Sequence, residues 1–118
     1  MIWVFLTILA THWFADFVCQ TDWQAQNKSK SLVALGRHVG VYTLILTAVC
    51  LVAFRIQGVV EYALLNGALH FATDFCTSRI SSKLYAKGDV HNFFVVVGLD
   101  QLIHQATLLI TLQLMFGT

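Results

Sequence analysis

Four apolar stretches, residues 2–19, 39–54, 59–77 and 93–116, take up most of this chain, and no proline interrupts any of them. A helix that crosses a bilayer needs about 20 predominantly apolar residues, within a range of roughly 17 to 25. The second stretch is a little short and borrows His38 and Arg55 at its ends. Without proline, each stretch can run as an unbroken helix. Membrane strands would need alternating apolar and polar residues, and that alternation is absent. Charge then decides what surrounds the helices. Only 11% of the residues are charged, whereas a soluble domain carries about 25% to cover its surface. So few charges cannot make a water-facing shell. The expectation is one all-α domain over residues 1–118, an integral membrane four-helix bundle with helices near 2–20, 38–55, 59–78 and 92–116.

The basic residues orient it. Every Lys and Arg except Arg55 lies in one of two long connections, 21–37 and 78–91. Cytoplasmic loops carry such an excess, which predicts both long loops in the cytoplasm and both termini outside, in a bacterial inner membrane. No Lys or Arg precedes Lys28, so the first stretch lacks the charged start of a signal peptide and reads as a retained helix. Cys19, Cys50 and Cys76 are odd in number and widely spaced, which excludes a disulfide framework and leaves them as small packing residues.

Ionisable residues inside the apolar stretches are few, and they are patterned. "THWFADF" carries His12 and Asp16; "LHFATDF" carries His70 and Asp74 at the same spacing, about half the chain later. Asp100 and His104 repeat the spacing in reverse order. Residues four apart share one helix face. In the predicted topology all six, with His38 at the edge, fall in one layer on the cytoplasmic half, on the order of 10 to 15 Å thick at the helical rise. An aspartate at a membrane helix centre costs about 2.5 to 3.5 kcal/mol on insertion scales. Interhelical polar contacts return only about 0.6 kcal/mol each, so plain helix packing would be served by cheaper residues. The doubled HxxxDF pattern also suggests two pseudo-repeated helical hairpins whose first helices run in the same direction.

Imidazole nitrogen and carboxylate oxygen are the ligands of zinc, manganese and non-haem iron. The expected metal ligands are His12, Asp16, His38, His70, Asp74, Asp100 and His104, with zinc the first candidate and manganese or iron next. Asp16, Asp74 and Asp100 are the catalytic candidates, because a carboxylate not bound to the cation can act as base. This outlines a membrane-embedded metal-dependent hydrolase acting on a lipid or lipid-linked phosphate. The same residues suit a proton- or metal-ion transporter built as a homo-oligomer, and a structural or accessory membrane subunit is the third reading. A transporter needs polar residues continuing to the outer side, where this chain offers mainly threonines. The lipid bilayer is the expected environment and partner. Basic residues are too few for nucleic acid, and no phosphate-cradling glycine loop is present.

The combination of "HWFADFVCQTDW" (12–23), the basic Lys28 and Lys30, His38, "HFATDF" (70–75) and "LDQLIH" (99–104) resembles an uncharacterised bacterial and phage family of small membrane proteins, a domain of unknown function. The resemblance covers most of the chain and implies membrane location. Ser78 and Arg79 stand where that pattern leads one to expect a lysine. A looser likeness joins the chain to membrane-bound metal-dependent hydrolases, which also place His and Asp within short helical bundles; it is an analogy of fold and residue type. In the connections, Trp23 marks a membrane edge, Lys28 and Lys30 can attract anionic headgroups, and Asp89 or Asn92 can cap the last helix.

Overall fold

In a computed structural model that describes residues 1–117, the chain is all-helical. Its elements are α1 (Ile2–Trp13), a single π turn (Phe14–Val18), a short α2 (Asp22–Asn27), α3 (Leu32–Ala53), α4 (Val59–Ala86) and α5 (Val90–Phe116). These bounds differ from the apolar stretches in three places, each for a local reason. The first helix widens at Phe14, where the Cys19 N–H reaches back five residues to the Phe14 carbonyl at 3.0 Å, the hydrogen bond that defines a π turn. The third helix starts at Leu32 rather than His38, because the Ser31 hydroxyl accepts from the Ala34 N–H and caps it. The fourth runs on to Ala86, turning most of the expected loop into helix.

The connections are built from standard caps. Thr21 and Gln24 form a reciprocal capping box at the start of α2. At the end of α4 the Gly88 N–H donates to the Tyr85 carbonyl and the Asp89 N–H to the Leu84 carbonyl, with Gly88 at φ +76°. That is a Schellman ending, which favours glycine. Asp89 then caps α5 by accepting from the Asn92 N–H at 3.2 Å, and its bonds from Asn92 hold its carboxyl below the usual carboxylate range. A three-residue link therefore ends one helix and starts the next.

α1 packs against α3 and α5, and α4 packs against the same two helices; α2 lies on α3. One half of the interior, nearer Met1 and the α3–α4 turn, holds an apolar cluster of Ile8, Leu46, Cys50, Val59, Ala63 and Leu108. Tyr62 sits in it and donates its hydroxyl to the Leu108 carbonyl. The other half of the interior is polar: His12, Asp16, His38, His70, Asp74 and His104 are each at most 3% exposed. Trp3, Leu44, Val52 and Leu114, by contrast, are more than 70% exposed. Two helices, α3 and α5, are long and apolar enough to cross a membrane by length and composition, and residues 2–18 form a shorter apolar helix.

Close approach of α3 and α4 depends on Gly67, where an added Cβ would collide with the Thr43 side chain. Thr43 is β-branched and its hydroxyl is tied to the Val39 carbonyl, so it has little room to turn away. Gly67→Ala should lower the unfolding free energy in detergent by about 1 to 3 kcal/mol, the usual range for overpacking. Thr43→Ala in the same chain should restore most of the loss, and a thermal melt of the two variants measures both effects.

Candidate metal centre

Four elements bring the polar residues to one place. The π turn carries Asp16, α3 carries His38, α4 carries His70 and Asp74, and α5 carries Asp100 and His104. Their convergence is tight. The Nε2 atoms of His38 and His70 lie 3.2 Å apart. Asp16 Oδ1 lies 2.9 Å from His38 Nε2 and 3.3 Å from His70 Nε2. Asp74 Oδ2 lies 3.3 Å from each of the same two nitrogens. A tetrahedral ion with ligand bonds of about 2.0 Å has ligand atoms about 3.3 Å apart. Five contacts among four ligand atoms, all between 2.9 and 3.3 Å, match that figure. Each Nε2 carries at most one proton, and two protons cannot serve five contacts. One cation at the centre would serve all of them.

The charge balance points the same way. Asp16, Asp74 and Asp100 are buried together, and the only ammonium among them is Lys28, 3.5 Å from Asp74 Oδ2. Three carboxylates against one ammonium leave a surplus of two negative charges when the histidines are neutral. Buried charge without compensation is strongly unfavourable. A divalent cation cancels this surplus.

The rings are held from their sides. His70 is stacked between Tyr42, 4.0 Å away at 13°, and His104, 3.9 Å away at 24°. Among the described residues, the Nδ1 atoms of His38 and His70 have no hydrogen-bond partner. Ligating histidines commonly donate that nitrogen to a carboxylate or carbonyl; here stacking orients His70 instead. Asp74 is the hub. Its Oδ2 faces His38 and His70, while its Oδ1 accepts from His104 Nε2 at 3.0 Å. His104 Nε2 also lies 3.2 Å from Asp100 Oδ1.

His12 is placed differently from the other expected ligands. It lies outside both groups of converging donors, which are Asp16–His38–His70–Asp74 and Asp16–Asp100–His104. Its Nδ1 meets the Tyr42 hydroxyl at 3.3 Å and its Nε2 meets Gln101 Oε1 at 2.9 Å. The Gln101 amide in turn donates to Asp16 Oδ2 at 3.2 Å and Asp100 Oδ2 at 3.0 Å. His12 thus hydrogen-bonds to the carboxylates through Gln101, its Nε2 standing 3.8 Å from Asp16 Oδ2. The two HxxxD pairs are therefore not equivalent: Asp16 and Asp74 face the same two imidazoles, but His12 and His70 do different work. Gln101, Thr77 and Tyr42 are members of the site that residue spacing did not single out. Gln101 sits inside the "LDQLIH" motif and Thr77, whose hydroxyl donates to Asp100, lies three residues beyond Asp74; both were visible as polar residues beside a ligand.

A cavity of about 460 Å³ reaches the carboxylate side of the cluster, where Asp16, Asp74, Asp100 and Gln101 line it, with Lys28 beside them. His38, His70 and His104 are not in its lining. The histidines back the site and the carboxylates face the opening. From there the cavity extends past Ser78, Ser81 and Tyr85 and past Phe17, Phe93 and Val97. A smaller apolar cavity of about 160 Å³ lies at the other end, around Phe5, Phe54 and Phe116, and shares no lining residue with the first.

Residues 4–118 match the family model described as a protein of unknown function, DUF3307, and the chain belongs to that family. No curated protein and no solved structure matches it.

If the four ligand atoms hold a cation, zinc or manganese added to metal-stripped protein should raise its melting temperature. At one hundred times the dissociation constant the gain is about 2.7 kcal/mol. His70→Ala should abolish the shift while still inserting and migrating as wild type. An unchanged shift in that variant would remove the cluster as the binding site.

Proposed function

From a family that carries no assigned activity, we propose that this chain is a membrane-embedded, divalent-metal-dependent hydrolase acting on a lipid or lipid-linked phosphate. One observation carries the reading: a His₂Asp₂ donor set with contacts of 2.9 to 3.3 Å stands at the end of a cavity lined by both polar and apolar side chains. Asp16, His38, His70 and Asp74 hold the cation. A divalent ion supplies Lewis acidity at that point. Lys28 stands beside Asp74 and is the one cation of the cavity positioned to meet a phosphate oxygen. Asp100, oriented by Thr77 and Gln101, is the carboxylate placed to accept a proton. The walls formed by Phe17, Phe93 and Val97 suit an acyl or prenyl chain, and the serines on α4 suit its headgroup.

Lipid is the solvent that makes the rest of the surface reasonable. Large apolar side chains are exposed along α3, α4 and α5 alike, and a water-soluble monomer rarely exposes apolar area so continuously. The longest dimension of the molecule, 46 Å, is close to the full thickness of a bilayer with its headgroups, about 40 to 45 Å. With Lys28, Lys30, Arg79, Lys83 and Lys87 at the end where the cavity emerges, the positive-inside rule gives a cytoplasmic opening and external termini. An outer half whose cavity is apolar and separate from the site argues for an enzyme over a transporter. Past Tyr42 the interior is the apolar cluster of Leu46, Cys50 and Leu108, and the two cavities stay separate.

Two measurements test this. Protein reconstituted into vesicles containing phosphorylated lipids should release phosphate or cleave the phosphoester, lose that activity with a chelator and regain it with zinc or manganese; retained activity after chelation overturns the metal role. Lys28→Met should raise KM about tenfold, the equivalent of roughly 1.4 kcal/mol of lost phosphate contact, with kcat less affected. Equal KM values in the two proteins would remove Lys28 from the substrate site.

A further inference from the structure

The cluster contains a second group of donors, two of whose three residues the single-ion site does not use. One oxygen each from Asp16 and Asp100 and the His104 Nε2 lie within 4.8 Å of one another. Asp16 belongs to this group and to the His38–His70 group at once. The two oxygens of Asp74 face different imidazoles, with Oδ2 within 3.3 Å of His38 and His70 and Oδ1 at 3.0 Å from His104. Carboxylates whose two oxygens address different imidazoles are the usual bridges between paired ions. Such ions sit about 3.5 to 4 Å apart and act together on phosphoryl groups.

We infer that the centre is binuclear, with a second divalent cation held by Asp100, His104 and Asp16, Asp16 being shared by the two sites and Asp74 linking their imidazoles. The inference rests on the metal-dependent reading above and refines it: Asp100 becomes a ligand and no longer the proton acceptor. Charge indicates what the pair would take. Two divalent ions and Lys28 outweigh the three carboxylates by two positive charges, so the centre would bind an anion carrying about two negative charges on the cavity side. A phosphate monoester has that charge, and its oxygens can span both ions.

Metal content and electron spin resonance of manganese-loaded protein separate the possibilities. Two equivalents per chain are expected in the wild type, with the multiline signal of a coupled pair. Asp100→Asn, nearly isosteric and so able to keep the fold, should bind one equivalent and show the six-line signal of an isolated ion; His104→Ala should do the same. His38→Ala should also drop to one equivalent. Wild-type protein that binds one equivalent, or an Asp100→Asn variant that still binds two, would overturn the binuclear centre while leaving the single-ion reading intact. No bound manganese and no bound zinc in the wild type would overturn both. The spectrum of the wild type needs no variant, so a failure of either substitution to fold does not spare the inference.

Discussion

Three carboxylates buried in an apolar chain must find compensating charge, and the arrangement of every helix answers to that requirement. Asp16, Asp74 and Asp100 come from three different elements and meet no arginine. Their partners are imidazoles and one lysine. A buried aspartate left without a partner costs several kcal/mol, so no helix can slide or rotate far without leaving one of the three unpaired. The contacts that result are short and shared: Asp74 alone touches His38, His70, His104 and Lys28. Each helix is pinned by a group that it cannot withdraw.

That requirement also accounts for the division of the interior into two halves. Toward the chain ends, Ile8, Leu46, Val59 and Leu108 fill the space by ordinary packing, the Asn66 amide donates to Thr111 and the Tyr62 hydroxyl donates to the Leu108 carbonyl. Toward the basic connections the space is filled by rings and carboxylates. Tyr42 stands at the border, packing with the apolar cluster on one side and stacking on His70 on the other. The apolar half closes the molecule, and the polar half opens through its carboxylates into a cavity.

The His/Asp layer was legible because the helical period turns sequence spacing directly into shared faces. HxxxD and DxxxH each place two ionisable groups on one side of a helix, and their rarity in so apolar a chain marks them. His38 could be placed only at the edge of that layer, since it borders the apolar stretch that begins at Val39. In the structure its Nε2 lies among the central four donors, because α3 begins six residues earlier than the apolar stretch suggests and carries His38 well inside the helix. His12 went the other way. Spacing made it the twin of His70, but the π turn after Trp13 and the presence of Gln101 give it a different neighbour.

What the sequence by itself determined is therefore the helical class, the apolar exterior and the identity of the expensive polar residues, because these depend on composition and on a period of 3.6 residues. The ends of the helices depended on caps such as Ser31 and Gly88, which were present in the sequence but outweighed by the apolar pattern. Only the tertiary structure decided which nitrogen faces which oxygen. That choice turns on the rotation of each helix about its axis and on the π turn at Phe14–Val18, where one extra residue redirects everything after it. Pairings between residues as distant as His12 and Gln101, or Asp16 and His70, leave no periodic trace along the chain. They arise from packing, and packing is settled in three dimensions.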